Sequence, residues 1–267
     1  TIAPSEDLLG LDPSVFRQIN GAIRSGKRHI MLYGPPGTGK TTLAEYIASS
    51  LFEEYTLITG SADWTSQDII GGYQPLGDGR IGFVPGILLR RFDQPLIIDE
   101  LNRCDIDKVI GPLFTVLSGQ RTELPYRVEV DNPDSSSFAI LPVWKSDRPP
   151  HEYAPTDAWR IIATINSIEK ASLYRMSYAL PRGFAGIYVG LPANLKDFLW
   201  DWMISQSILS QDIAKLSSED APLLTFWNAV NAVRPIGPAP FLAVIRYIVS
   251  TEPAFDFLSH ELSPLHQ

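Results

Sequence analysis

The stretch Gly34-Pro-Pro-Gly-Thr-Gly-Lys40-Thr41 constrains this chain more than any other, because it matches G-x-x-x-x-G-K-[ST]. It follows a compact apolar run, His29 to Tyr33, and precedes a segment in which Leu43, Ile47 and Leu51 recur at helical spacing. Strand, loop and helix in that order give the glycines a purpose. The loop of Gly34, Pro35, Pro36, Gly37, Thr38 and Gly39 can wrap closely with its N–H groups pointing inward, and the helix behind it presents its positive end. The expected product is a cradle for the β- and γ-phosphates of a nucleoside triphosphate. Lys40 is expected on those phosphates, the Thr41 hydroxyl on Mg²⁺, and Thr42 beside them in the first turn.

A second apolar run, Leu96-Ile-Ile98, ends in Asp99 and Glu100. Next to a phosphate cradle, a strand ending in two acids delivers one to the metal and one to a water. Asp99 is the expected metal ligand and Glu100 the base that orients the attacking water, since phosphoryl transfer depends mostly on positioning and charge stabilisation. Asn166 closes a third run, Arg160-Ile-Ile-Ala-Thr164, and is the expected neutral contact for that water or the γ-phosphate.

The apolar runs Tyr55 to Thr59 and Ile187 to Val189 bring the number of short strands to five, of the kind a parallel sheet buries on both faces. With helices between them they predict a doubly wound α/β domain over residues 1–191. Two segments break the alternation and read as hairpins: 71–86, around an Asp78-Gly79 turn, and 123–144, with Val128, Val130, Phe138 and Ile140. Beyond Pro192 the pattern is helical (Leu195 to Ile208, Leu223 to Val233, Phe241 to Val249), which predicts a small helical lid over 192–267.

Composition excludes several classes. Hydrophobic residues at 45% and charged residues at 19% of 267 describe a folded globular chain. A net charge of −8 argues against a general nucleic-acid-binding surface and leaves only a local basic patch open. The single cysteine, Cys104, rules out an internal disulfide and suits a reducing, cytoplasmic setting. His29, His151, His260 and His266 lack metal-ligand spacing and read as structural or solvated. The apolar run Phe241 to Val249 is interrupted by Arg246 and is too short to span a membrane. A start at Thr1 without Met or signal peptide reads as a piece of a larger protein.

The order of these motifs resembles the AAA+ ATPases, in the branch with the MoxR-type, McrB-type and dynein-related proteins. Gly34 to Thr41 matches that family's Walker A, Leu96 to Glu100 its Walker B, Asp99-Glu-Leu-Asn-Arg103 the extension typical of the branch, and Ala163-Thr-Ile-Asn166 its sensor 1 strand. The resemblance implies ATP with Mg²⁺ as cofactors, GTP being the alternative nucleotide. It also implies an oligomeric ring, a hexamer by family, whose two hairpins face a pore that engages protein or nucleic acid. Arg80, Arg90, Arg91, Arg121 and Arg127, in or beside the hairpins, would make such a pore basic or are ordinary surface charge.

Ser172 to Phe184 resembles the family segment whose arginine reaches the neighbouring subunit's γ-phosphate. Arg182 is the first candidate for that finger, with Arg175 and Arg103 behind it, because Gly183 stands where an arginine is usual. Phe241 stands near the family's sensor 2 arginine, and Arg234 either contacts nucleotide from another direction or caps a helix. Two functions are expected: a ring motor that remodels protein as a MoxR-like chaperone does or translocates nucleic acid as a McrB-like complex does, or a nucleotide-gated scaffold with weak turnover. Trp64 and Tyr73 are weighed as ligand-stacking residues against the commoner reading as core, and the same weighing applies to Trp200, Trp202 and Trp227.

Overall fold

β5 (Pro95–Asp99) lies among other strands, and its Leu96, Ile97 and Ile98 are completely buried. A run apolar on both faces can be satisfied only at such a place, where neither face meets water. In the computed structural model, which describes residues 1–5, 8–77, 79–166, 183–208 and 221–250, five strands form one parallel sheet whose two edge strands, unlike β5, are only partly buried. They are β1 (His29–Gly34), β2 (Thr56–Thr59), β5, β9 (Arg160–Asn166) and β10 (Phe184–Tyr188), in the order β10-β1-β9-β5-β2. β5 is flanked in parallel register by β2, with Thr59 opposite Asp99, and by β9, with Ile98 opposite Ala163. The strand nearest the C-terminus begins earlier than the sequence pattern predicts. Phe184 starts it, because that ring is buried against His29, with centroids 5.5 Å apart.

Helices α1 (Pro13–Arg24) and α2 (Lys40–Leu51) flank the first strand in sequence. The short α3 (Ser66–Ile69) is opened by a reciprocal cap between Thr65 and Asp68. α4 (Ile87–Arg90) precedes β5, and α5 (Ile106–Leu117) follows it, started by Asp105, whose side chain accepts from the Lys108 N–H at 3.2 Å.

The first hairpin forms as the sequence predicts. β3 (Gly71–Pro75) and β4 (Ile81–Pro85) pair antiparallel, and the Leu76 N–H donates to the Arg80 carbonyl at 2.7 Å to close the turn. Asp78 lies outside the described residues. The second excursion is larger than a hairpin. β6 (Thr122–Arg127) pairs antiparallel with β7 (Ser137–Ile140), and β8 (Glu152–Tyr153) adds a parallel third strand. Val128 and Val130 do not extend β6 but stand 43% and 37% exposed. The polar segment from Glu129 onward closes on itself instead: Asn132 Nδ2 donates to Glu129 Oε2 at 2.8 Å and the Glu129 N–H to Ser135 Oγ at 3.0 Å.

Aromatic side chains join the two excursions. Phe83 stacks on Phe138 at 4.4 Å and tilts against Tyr126 at 5.2 Å, while the Tyr73 hydroxyl accepts from the Arg127 N–H and donates to its carbonyl. Tyr73 therefore serves the packing of the inserts, and Trp64 packs half-buried against the first core. Arg121, read as a pore cation, is held by Glu123 at 2.7 Å and Glu152 at 3.1 Å.

His29 is buried, accepts the Ile161 N–H on Nδ1 at 3.0 Å and meets Trp159 edge-on at 4.8 Å. Burial, reinforced by the charges of Arg28, Arg160 and Lys27, pushes its pKa down to about 3.

Contacts divide the chain into two units. The first comprises Thr1–Ile2, Gln18–Tyr33 and Thr41–Ile187; the second comprises Ala3–Arg17, Gly34–Lys40 and Tyr188–Gln267. The second unit has its own core on helices Leu195–Ser205, Pro222–Val233 and Ala239–Ser250. Trp227 is fully buried there and stacks on Phe241 at 4.5 Å, with Phe198, Trp202 and Ile245 around them. The first of these helices stops three residues before the expected Ile208, and Ser207 turns to φ +57°. Trp200, by contrast, is 44% exposed.

Candidate phosphate and hydrolysis site

Gly37 and Gly39 both have φ near +77°, at 76° and 78°, a left-handed backbone that other residues rarely adopt. These turns fold residues 34–40 into a tight loop. The Thr38 hydroxyl pins it by donating to the Pro35 carbonyl at 3.1 Å. The chain at 237–239 touches it through backbone: the Gly237 N–H donates to the Pro36 carbonyl at 2.7 Å and the Ala239 N–H to the Gly37 carbonyl at 3.1 Å.

Lys40 is 4% exposed, and its Nζ donates to the carbonyls of Pro35 at 2.5 Å and Gly34 at 3.2 Å. An ammonium taken out of water needs such partners. The carbonyls of Gly34 and Pro35 hold it within the loop. Buried cation, left-handed turns and a helix starting at Lys40 together suit a polyphosphate.

Thr41 follows on the first turn of α2, and its hydroxyl donates to Asp99 Oδ1 at 2.7 Å. A hydroxyl and a carboxylate are hard oxygen donors, and this pair suits Mg²⁺. Thr42 is exposed on the same turn. Asp99 comes from the end of β5, where burial of the strand behind it fixes the position of its carboxylate.

Glu100 departs from the strand with φ 51° and ψ 46°, a left-handed conformation that is uncommon outside glycine. The 3-10 turn Leu101–Arg103 then brings Arg103 back over Glu100, and the Arg103 guanidinium pairs with Glu100 Oε2. On its other oxygen, Oε1, Glu100 accepts from Asn166 Nδ2 at 3.0 Å. Asn166 is itself placed by the Asn102 side chain, which accepts its N–H at 3.2 Å. Asp99, Glu100 and Asn166 thus come together, the last at the end of neighbouring strand β9.

Two residues of this cluster carry no role in the sequence reading. Thr164, only 1% exposed, donates its hydroxyl to Asp99 Oδ1 at 2.5 Å and accepts the Glu100 N–H at 2.9 Å. Gly60, just past β2, donates its N–H to the Asp99 carbonyl at 2.7 Å. Thr164 was discoverable, since it lies two residues before Asn166 and so on the same strand face. Nothing local marks Gly60.

Arg175 and Arg182 lie outside the described residues. At Gly183 a Cβ would come 3.1 Å from the Leu117 side chain, so the end of α5 packs over the position where the family's arginine is usual. Arg234 is exposed and ends helix Pro222–Val233, its own N–H bonded to the Val230 carbonyl at 2.8 Å. Phe241 is core rather than a surface place vacated by an arginine.

A parallel sheet in this order, with a glycine-lined loop leaving β1 and two acids ending β5, defines a P-loop nucleotide-binding protein. The AAA domain (dynein-related subfamily) matches residues 29–184, more than half of the chain, and the chain belongs to that family, among the AAA+ ATPases. It is 26% identical over 174 residues to the type IV methyl-directed restriction enzyme EcoKMcrB subunit of Escherichia coli (strain K12), covering 60% of this chain and 35% of that protein. It is 33% identical over 104 residues to the Holliday junction branch migration complex subunit RuvB of Prochlorococcus marinus (strain MIT 9301), covering 39% of this chain and 28% of that one. The RuvB of Salinispora arenicola (strain CNS-205) is likewise 33% identical over 96 residues, 35% of this chain and 27% of that protein. The chain spans 27–35% of the length of these relatives. Among the described residues no helix is long and apolar enough to cross a membrane.

Proposed function

We propose that this chain is the Mg-ATP-hydrolysing module of a ring-forming motor that translocates or remodels a nucleic-acid substrate. The observation that carries the hydrolytic part is the joining of two sets of contacts: Thr41 on Asp99 at 2.7 Å and Asn166 on Glu100 at 3.0 Å. The loop N–H groups and Lys40 hold the triphosphate, and Thr41 and Asp99 hold Mg²⁺, which when bound neutralises charge on the phosphates. Glu100 accepts a proton from the attacking water, and Asn166 keeps the Glu100 carboxylate aimed. The α/β portion 1–191 carries this chemistry and the helical portion 192–267 acts as lid, with Arg234 near the nucleotide and Arg182 completing a neighbouring copy's site.

The nucleic-acid version is preferred to a MoxR-like protein remodeller because both kinds of relative carry DNA transactions in their names: methyl-directed restriction and branch migration. Arg80 and Arg127 in the inserts and Arg90 and Arg91 beside them are exposed, whereas Arg121 is paired with Glu123 and Glu152. The competing reading, a nucleotide-gated scaffold without turnover, draws on one observation: the catalytic carboxylate is already paired with Arg103 in the same chain.

Hydrolysis of ATP and of GTP measured against protein concentration decides among these. A specific activity that rises with concentration and then saturates supports the ring motor, and stimulation by DNA supports its substrate. Tight binding with no turnover at any concentration sinks the motor in favour of the scaffold. Faster turnover of GTP reassigns the nucleotide.

A further inference from the structure

The peptide joining Asp99 to Glu100 is held from both sides of its strand. β5 lies between β9 and β2 in the sheet, and each neighbour sends one group to the same peptide unit. From β9, the buried Thr164 hydroxyl receives the Glu100 N–H at 2.9 Å and gives its own proton to Asp99 Oδ1 at 2.5 Å. From the end of β2, the Gly60 N–H reaches the Asp99 carbonyl at 2.7 Å. The approach of Gly60 is so close that a Cβ there would sit 2.5 Å from the Glu100 carbonyl oxygen and 3.4 Å from that of Asp99.

We infer that Thr164 and Gly60 form a clamp that fixes the left-handed backbone of Glu100, and that they are positioning residues for hydrolysis. The inference rests on the reading of Glu100 as the catalytic base. The physical reason lies in the strain at Glu100. A non-glycine residue at φ 51° persists only where its surroundings over-determine it. Thr164 satisfies the N–H that this turn would otherwise leave without a ladder partner, and Gly60 leaves room for the carbonyl that the turn swings outward. If either is altered, the peptide relaxes and the Glu100 carboxylate leaves the place where Asn166 meets it. Thr164 also shares Asp99 Oδ1 with Thr41, so one hydroxyl sets the orientation of both acids.

Thr164→Val removes the hydroxyl at nearly constant volume, Thr164→Ser retains it, and Gly60→Ala adds the obstructing methyl. All three are made in the full chain. At saturating ATP, Thr164→Val and Gly60→Ala are expected to lower turnover about twentyfold, with the dissociation constant for a non-hydrolysable ATP analogue changed less than about threefold. Thr164→Ser is expected to restore turnover to within about threefold of the parent chain. Independently of turnover, hydrogen exchange at the Glu100 amide is expected to accelerate about tenfold or more in Thr164→Val and to stay protected in Thr164→Ser.

Parent-like turnover in both Thr164→Val and Gly60→Ala, or an unchanged Glu100 amide in Thr164→Val, overturns the clamp. A parent chain that never hydrolyses nucleotide overturns the catalytic reading instead, and the amide exchange still decides whether the clamp exists. Should Thr164→Val fail to fold, the turnover and analogue binding of Gly60→Ala carry the same decision.

Discussion

Asn166 Nδ2 donates to Glu100 Oε1 at 3.0 Å, linking the last residue of β9 to the residue just past β5. The carboxylate is restrained on both oxygens, by the Arg103 guanidinium on Oε2 and by this neutral donor on Oε1. That pairing separates the two jobs at the site, proton acceptance by Glu100 and aim by Asn166.

Replacing Glu100 with Gln keeps the hydrogen bond but removes basicity. Turnover is expected to fall by roughly 10²- to 10⁴-fold while nucleotide stays bound. Asn166→Ala loses the aim alone and is expected to lower kcat by roughly ten- to a hundredfold with little change in KM. Steady-state kinetics beside analogue binding check both; a rise in KM with constant kcat would place Asn166 in ground-state binding.

Lys40 is buried against the loop's own carbonyls, so its removal touches both loop and ligand. Lys40→Ala is expected to weaken triphosphate binding by roughly a hundredfold or more, because a charge-assisted contact is lost in a desolvated place. Titration with a fluorescent analogue reads it. Retained affinity in that variant would contradict the cradle.

His29 gives the fold an acid-sensitive point. Its folded pKa, about 3, lies below the ordinary value of 6.5, so its contribution to stability is complete above pH 6.5 and is lost as pH falls toward 3. Over that window the unfolded chain binds a proton that the folded chain refuses, a slope of about 1.4 kcal/mol per pH unit. His29→Gln keeps an acceptor for the Ile161 N–H without a titrating ring. Chemical denaturation of the two chains at pH 7.5 and pH 5 is expected to show a smaller pH dependence in the variant; equal dependence would mean the ring protonates while folded.

Phe241 tests whether the second unit tolerates the family's arginine. The ring is 6% exposed and stacked on Trp227. Phe241→Arg buries an unpaired charge and is expected to destabilise the unit by about 3–5 kcal/mol. A lowered melting transition by circular dichroism is the expected result. An unchanged melt together with tighter nucleotide binding would show that the arginine reaches the site.

What the chain alone determined is whatever is local or strictly periodic. The phosphate loop is eight consecutive residues, the strands are short apolar runs, and the acids ending β5 needed only that run to be placed. Periodicity cannot say which distant segment comes alongside. The third strand Glu152–Tyr153 escapes it because two residues carry no period, and Val128 and Val130 continue an alternation that the loop's own hydrogen bonds then break. Phe241 reads as a missing arginine along the chain and becomes a core ring only when Trp227 stacks on it. The Gly183 departure likewise gains its reason from Leu117, far back in the sequence. Most of all, the strand order β9-β5-β2 decides that Thr164 and Gly60 meet one peptide of Glu100. Chemistry-bearing residues announce themselves by type and spacing, whereas the residues that aim them are chosen by close approach across the sheet, which exists only after the chain has folded.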